Sequence, residues 1–176
     1  EHCNGSDTTT VVVQDAPTAS LSADVSSGCG PLTVNFTNNS DAAAVYQWDL
    51  GNGLLTNSFS GQHTFLNTTS NDTTYQISLT ALNAFGCGTS DTVEVTVHPG
   101  AYASFVDDNA APTCGPMNAY FQNTSLNAYA YAWDFGDGGL SNLVNPTHTY
   151  YNNNGFLDIY EVSLIAYNIN GCNDTT

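Results

Sequence analysis

One short sequence pattern occurs twice in the chain, and the interval between its copies limits how the whole sequence can fold. The second copy is WDFGDG at positions 133–138, followed by PTHTY at 146–150. The first copy is WDLGNG at positions 48–53, followed by HTF at 63–65. The interval from Trp48 to Trp133 is too long for a solenoid unit and is that of a small domain in tandem. The 176 residues are long enough for each half to bury a core.

The repetition extends beyond the motif without a gap. Cysteines, prolines, phenylalanines and asparagines recur at the same interval, for example Asn83 and Asn168. Residues 2–13 are similar to residues 86–97, which end the first copy, so they are interpreted as the end of an earlier repeat. We therefore predict a terminal strand of a preceding repeat at 1–15, one module at 16–98 and a second module at 99–176 that lacks its last strand.

The pattern of apolar residues predicts β-strands and no helix. Apolar and polar residues alternate with a period of two, β-branched residues are common, and the strands are separated by Asn and Gly turns. We expect strands at 20–25, 32–36, 44–50, 54–59, 75–81 and 91–97, and then at 102–107, 118–122, 128–135 and 160–166. Short strands with turn signals at this spacing predict an all-β chain of tandem immunoglobulin-like β-sandwiches, end to end.

The motif pair resembles the hallmark of the PKD (polycystic kidney disease) domain, WDFGDG followed by P-x-H-x-Y. The second copy matches it nearly letter for letter. The first copy departs at Leu50, Asn52 and Gly61, where the family pattern has Phe, Asp and Pro. The resemblance implies a PKD-like fold and a non-catalytic module.

The five cysteines carry the same repetition. The spacing from Cys29 to Cys87 equals that from Cys114 to Cys172. Residues 1–15 contain Cys3 but no second cysteine with which it could pair. The equal loops suggest one disulfide in each module, Cys29–Cys87 and Cys114–Cys172, and an extracytoplasmic location. The alternative is that these cysteines are buried free thiols.

The charge balance excludes some partners. The chain has no Lys or Arg and sixteen Asp and Glu, for a formal net charge of −16. Nucleic acid and anionic membrane surfaces need basic contacts, so neither is expected as a partner. No apolar run is long enough for a membrane span, and no signal peptide is visible at the start.

Acidic loop residues are the candidate metal ligands. Some modules of the family that the chain resembles bind calcium near the first strand and the Gly-Asp-Gly turn, and clustered oxygen ligands suit this cation. The proposed ligands are Asp134 and Asp137, Asp49 and Asn52 in the first copy, and Asp107 from a first strand, with Asp24, Asp108 and Asn109 as further possibilities. The alternative is that these side chains hydrogen-bond the backbone of their own turns.

No catalytic constellation is evident. His63 and His148 have no Ser or Cys nucleophile beside them, and the resemblance implies loop histidines that pack near the Trp. Tyr129, Tyr131, Tyr150 and Tyr151 would form a sugar-stacking strip if they were exposed, but alternation places at least half of them in the core. N-glycosylation sequons occur at Asn4, Asn38, Asn67, Asn71, Asn123 and Asn173.

These observations predict a structural or adhesive repeat and not an enzyme. The composition resembles that of giant repeat adhesins and surface filaments of Bacteroidota, so the expected protein is secreted or held at the cell surface. Its partners would be neighbouring repeats, other subunits, or surface glycans and proteins. The alternative is an accessory polymer-binding module of a secreted hydrolase such as a chitinase or protease.

Overall fold

A computed structural model describes residues 7–51, 55–57, 61–108, 116–152 and 155–176, and the regular secondary structure of this part of the chain consists of β-strands. The first eight strands are β1 (Leu21–Ala23), β2 (Ser27–Cys29), β3 (Leu32–Asn38), β4 (Val45–Asp49), β5 (Leu55–Thr56), β6 (Gln62–Phe65), β7 (Thr73–Leu82) and β8 (Gly88–His98). The next seven are β9 (Phe105–Asp107), β10 (Met117–Asn123), β11 (Ala130–Asp134), β12 (Leu140–Ser141), β13 (Thr147–Tyr150), β14 (Ser163–Tyr167) and β15 (Asn173–Thr175).

The strands form sheets with the orders β1-β3-β6, β2-β8-β7-β4-β5, β13-β10-β9 and β12-β11-β14-β15. The all-β, immunoglobulin-like sandwich class predicted from the sequence is confirmed. The described residues include no helix long and apolar enough to cross a membrane.

The chain divides into two compact units by its contacts. Unit 1 comprises Glu1–Asp24, Val34–His63 and Tyr75–Val95, and unit 2 comprises Val25–Thr33, Thr64–Thr74 and Thr96–Thr176. In unit 1, β1 pairs antiparallel with β3, and β4 lies between β5 and β7. The buried apolar side chains of unit 1 are Leu21, Val34, Phe36, Trp48, Ile77, Leu79, Ala81 and Val95.

Unit 2 contains a core of aromatic residues. Its centre is formed by Ala119, Phe121, Trp133, Phe135 and Leu164. The rings of Phe121 and Phe135 stack with centroids 5.6 Å apart, and the Trp133 indole Nε1 donates a hydrogen bond to the Leu143 carbonyl at 2.9 Å. The indole is therefore buried with its single polar group satisfied.

The strand pairing repeats with the sequence period. Trp48 pairs with Leu79 and Thr56, and the equivalent Trp133 pairs with Leu164 and Ser141. Every residue pair between β4 and β7 recurs at the same interval between β11 and β14. The period seen in the sequence is therefore a period of hydrogen-bond register as well.

Most predicted strands are present with shifted ends, and two differences affect the sites described below. The first is that the strand predicted at 160–166 begins only at Ser163. The second is that β13, which carries the motif histidine, was interpreted as a loop. The short strands β2, β6, β12 and β15 were not predicted, because two to four residues give too little alternation to detect. Of the strand predicted at 54–59, residues 54 and 58–59 lie outside the described part.

Candidate functional sites

The WDFGDG corner is built by two aspartates that hydrogen-bond the backbone of their own turn. Asp134 Oδ1 accepts a hydrogen bond from the Gly136 amide, and Asp137 Oδ1 accepts one from the Gly139 amide, each at 2.9 Å. Gly136 and Gly138 have φ values of 79° and 92°, a region in which glycine carries no steric cost. Both aspartates therefore make the hydrogen bonds to their own turn that were the alternative to metal binding.

Two glycines of this corner also permit close contacts. A Cβ on Gly136 would lie 2.5 Å from the Glu161 carbonyl oxygen, which is too short for any side chain. A Cβ on Gly139 would lie 2.5 Å from His148 Cε1. The absence of a side chain at both glycines therefore leaves room for the corner to contact the Glu161 backbone and the His148 ring.

His148 connects the corner to the aromatic core. Its ring stacks on Phe135 with centroids 4.2 Å apart and 7° between planes, and it meets the edge of Tyr150 at 4.7 Å. Its Nε2 lies 2.7 Å from Asp137 Oδ2. The histidine was expected to pack near the Trp from a loop, but it lies in β13 and its ring is stacked on Phe135.

The phenol of Tyr150 completes this group. Its hydroxyl donates a hydrogen bond to the Phe135 carbonyl oxygen at 3.0 Å, and its ring stacks on Tyr160 at 4.8 Å. Burial, and then the negative charges of Asp137 and Asp107, raise the pKa of Tyr150 to about 12. The phenol stays protonated and acts as a structural donor at neutral pH.

The carboxyl of Asp137 is held in its charged form. The hydrogen bond from His148, and then the one from the Gly139 amide, lower the pKa of Asp137 below its ordinary value of 3.8. An aspartate and a histidine at 2.7 Å could form an acid–base pair. Here the imidazole is stacked against Phe135 and Tyr150, so the pair stabilises the corner.

The remaining proposed metal ligands include Asp49, Asn52 and Asp107. Asp49 Oδ1 accepts a hydrogen bond from the Gly51 amide at 2.9 Å, as Asp134 does in the second copy. Asn52 lies outside the described residues, and Asp107 is at the end of β9. Within the described ranges, no group of three or more His, Cys, Asp or Glu side chains could hold a metal ion. Calcium binding stays a prediction.

We predict that Asp137→Asn lowers the free energy of unfolding by about 0.5–1.5 kcal/mol near neutral pH, because a charged acceptor is lost at a partly exposed site. The lowered pKa means that this stability is complete above the unfolded value near 3.8 and is lost as the pH falls through the folded value. Urea unfolding of both proteins between pH 2 and 7 measures the difference, which should vanish at the acid end. Asp15→Asn is the control for removing one negative charge. An equal effect of the control would contradict a specific role for Asp137.

The disulfide in the structure differs from both predicted pairs. Cys29 is bonded to Cys172 across a sequence separation of 143, and Cys87 is an exposed free thiol. The predicted pairs Cys29–Cys87 and Cys114–Cys172 are therefore wrong, since Cys29 and Cys172 each have another partner. Cys114 and Cys3 lie outside the described residues.

Hydrogen bonds within unit 2 explain this pairing. Strand β2, which ends at Cys29, lies parallel to residues 96–98 at the end of β8. Pro99 directly follows β8 in the chain. The hairpin that carries Cys172 is held to it, because Asn168 Nδ2 donates a hydrogen bond to the Pro99 carbonyl at 2.7 Å. Asn168 Oδ1 accepts the Cys172 amide at 2.8 Å. Both cysteines are thus positioned beside residues 98–99.

The equivalent hairpin of the first copy has the same internal hydrogen bonds. Asn83 Oδ1 accepts the Cys87 amide at 3.0 Å, and Asn83 Nδ2 donates to the Asp15 carbonyl at 2.9 Å. Asn83 and Asn168 were recognised as equivalent in the sequence, but their role in placing a cysteine was missed. An Asn four positions before a cysteine in both copies was the available signal.

We predict that removing the bond with Cys29→Ser plus Cys172→Ser lowers the free energy of unfolding by roughly 3–5 kcal/mol, because a closed loop of this size restricts the unfolded chain. Cys87→Ser, which alters the equivalent position with no bond to lose, should change it by less than about 0.5 kcal/mol. Denaturant unfolding under non-reducing conditions makes the comparison. The pairing is contradicted if Cys87→Ser is as destabilising as the double variant.

A protein-family model matches the repeat that carries the complete motif. Residues 98–176 match the family model described as "PKD domain". The match covers the second repeat. No curated protein matches the chain.

Solved structures to which the chain is similar include three of low sequence identity. One is a solution NMR structure from Methanosarcina mazei, 25% identical, covering 64% of this chain and 69% of that one, with a TM-score of 0.36. The second concerns carbohydrate-binding modules of the β-sandwich superfamily, 14% identical, covering 92% and 95%, with a TM-score of 0.40. The third contains fibronectin(III)-like modules of Clostridium thermocellum CbhA, 12% identical, covering 89% and 91%, with a TM-score of 0.40.

Proposed function

We propose that this chain is a non-catalytic, load-bearing segment of a secreted or cell-surface repeat protein, acting as a stalk, adhesin or extracellular filament. Both repeats, 16–98 and 99–176, are PKD-like modules in this proposal. The match of residues 98–176 to the PKD family supports the module type, and the repeated strand register supports extending it to the first copy.

The observation that carries the proposal is the bond between Cys29 and Cys172. Both cysteines lie in compact unit 2, but Cys29 belongs to the first sequence repeat and Cys172 to the second, across a sequence separation of 143. In a longer array of such repeats, Cys87 would make the same bond to the repeat before it.

The bond changes the path that a pulling force takes through the chain. Tension applied at the two ends reaches Cys29 from one side and Cys172 from the other. The covalent bond then carries the load directly, so residues 30–171 cannot be extended even after their strands separate. Such a bypass suits a segment under tension.

We predict a large difference in extension between the oxidised and reduced chain under force. Reduction should release about 50 nm of additional contour length, because 143 residues extend by up to roughly 3.6 Å each. Single-molecule force spectroscopy with handles at both ends measures this length. The Cys29→Ser plus Cys172→Ser variant should behave as the reduced chain, and Cys87→Ser as the oxidised chain. Full extension of the oxidised chain would refute the load-bearing role.

We also propose that calcium stabilises this acidic segment. Sixteen carboxylates without a Lys or Arg repel one another in the folded state. Asp134 and Asp137 each use Oδ1 for their own turn, and both hydrogen bonds are exposed to solvent. Asp137 Oδ2 also lies 2.7 Å from His148 Nε2, so a cation bound there would compete with the histidine. Specific binding at a hundredfold excess over Kd would add about 2.7 kcal/mol.

Calcium at millimolar concentration should therefore raise the melting temperature at constant ionic strength, and Asp137→Ala should remove most of the increase. Differential scanning calorimetry with sodium chloride at equal ionic strength is the control, since exposed charges are screened by any salt. If sodium chloride reproduces the whole stabilisation, the chain has no specific calcium site.

A further inference from the structure

The outward face of the β9–β10 pair in the second repeat carries exposed aromatic and apolar side chains. These strands keep one antiparallel register, from Asp107 opposite Phe121 to Tyr102 opposite Leu126. Side chains alternate between the two faces of a sheet, and Phe121 is buried in the core, so every second pair from Leu126 onward lies on the outer face. The exposed side chains of this outer face are Tyr102 and Leu126, Ser104 and Thr124, Val106 and Gln122, and Tyr120.

The first repeat has the same face in the same register, but its residues are polar. Ser22 lies opposite Thr37 in the β1–β3 pair, and the Asp41 amide donates to the Thr18 carbonyl at the end of the ladder. Where the second repeat has Tyr102, Leu126, Val106 and Tyr120, the first has Thr18, Asp41, Ser22 and Asn35. The strand pairing is therefore made without these aromatic and apolar side chains, and the fold does not require them.

The polar face of the first repeat is held together by its own side chains. Asn35 Nδ2 donates to Asp24 Oδ2 at 2.7 Å, and Asn35 Oδ1 accepts a hydrogen bond from Gln62 Nε2 at 3.0 Å. Tyr120 stands at the position of Asn35, so this network across three strands cannot form in the second repeat. An aromatic ring is presented to solvent at that position instead.

The two tyrosines mark the ends of a long, flat surface. Tyr102 and Tyr120 are 54% and 55% exposed, and Val106 between them is 48% exposed. Tyr102 lies opposite Leu126, which is six positions from Tyr120, so the two rings are about 20 Å apart along the strands. Tyr120 is on the central strand of its sheet and has Thr147 of β13 opposite it. The surface is therefore long enough for an extended chain molecule.

The chemistry between the rings is that of a polar surface. The Thr124 hydroxyl donates to the Ser104 hydroxyl at 2.9 Å, and the Gln122 side chain is exposed beside them. The core of a protein–protein interface is more continuously apolar than this. Rings that alternate with hydroxyl and amide groups match a carbohydrate, whose C–H faces stack on aromatic rings and whose hydroxyl groups form hydrogen bonds.

Charge restricts the carbohydrate further. The chain has no Lys or Arg with which to bind an acidic polysaccharide, and its net charge of −16 would repel one. The outer-face residues from Tyr102 to Val106 and from Tyr120 to Leu126 are themselves uncharged. A neutral polysaccharide can therefore reach this face without a cost in like-charge repulsion.

We propose that the outer face of β9–β10 binds a neutral, extended polysaccharide. Its sugar rings stack on Tyr102 and Tyr120, and its hydroxyl groups bond to the polar side chains between them. This inference names a partner for the structural role proposed above and rests on that proposed function. It involves neither the disulfide nor tension, so its failure would leave the force measurement unaffected.

Affinity electrophoresis of the full chain tests the proposal. In a native gel the acidic chain migrates rapidly towards the anode, and a polysaccharide set in the gel slows it only if the two bind. The neutral probes are hydroxyethyl cellulose, xyloglucan, glucomannan and glycol chitin, and the acidic probe is polygalacturonate. At least one neutral probe should retard the chain and polygalacturonate should not. Retardation by none of the neutral probes, or equal retardation by polygalacturonate, would overturn the proposal.

Substitutions taken from the first repeat locate the site. Tyr102→Thr and Tyr120→Asn insert the residues that the first repeat has at these positions, so the fold should tolerate them. Each should weaken binding roughly tenfold, whereas Tyr102→Phe and Tyr120→Phe keep the ring and should retain most of it. Tyr129→Ala is the control, because Tyr129 is 77% exposed but its amide bonds to Tyr167 in the other sheet. An equal loss in the control, or in the Phe variants, would reject this face as the site.

Sedimentation velocity distinguishes a carbohydrate from a second copy of the chain. Without polysaccharide, the wild type and Tyr102→Thr should sediment alike at every protein concentration. Association of the wild type that Tyr102→Thr abolishes would assign the face to contact between copies, and it would overturn the carbohydrate proposal.

Discussion

The bond between Cys29 and Cys172 is the constraint on which the account of this chain depends. It ties β2, which runs beside the end of β8, to the hairpin after β14. Asn168 holds that hairpin to the Pro99 carbonyl through a buried hydrogen bond, so the bond is formed where the backbone is already fixed. In the proposed function, a bond in this place carries tension between Cys29 and Cys172.

The corner motif has a different role, which is local. Asp134 and Asp137 close their own turn, and Asp137 then holds His148 against Phe135. The histidine joins the acidic turn to the aromatic core, and Tyr150 donates to the Phe135 carbonyl. The motif that is most conspicuous in the sequence therefore explains how the fold is held together.

The sequence predicted the class of the fold and the chemistry of the corner because both depend on local patterns. Alternation placed Val34, Phe36, Trp48 and their equivalents in the core, where the structure has them. Glycine at positive φ and aspartate bonding two residues ahead are likewise local. Tyr131 and Tyr150 pack against the core while Tyr129 and Tyr151 are exposed, as alternation indicated for half of the set.

The cysteine pairing could not be predicted in the same way. In a tandem repeat, Cys29–Cys87 and Cys114–Cys172 must have equal spacings whatever bonds they form, so the equality carries no information on pairing. The pair Cys29–Cys172 depends on the parallel contact of β2 with residues 96–98, and such a short strand leaves no detectable pattern.

The most direct test of the central claim is disulfide mapping of the oxidised chain by mass spectrometry. Trypsin cannot be used because the chain has no Lys or Arg, but cleavage before aspartate separates the cysteines. Asp41 and Asp72 lie between Cys29 and Cys87, and Asp91 lies after Cys87. We expect one linked pair of peptides that contains Cys29 and Cys172 and disappears on reduction. A peptide pair that links Cys29 to Cys87 would contradict it.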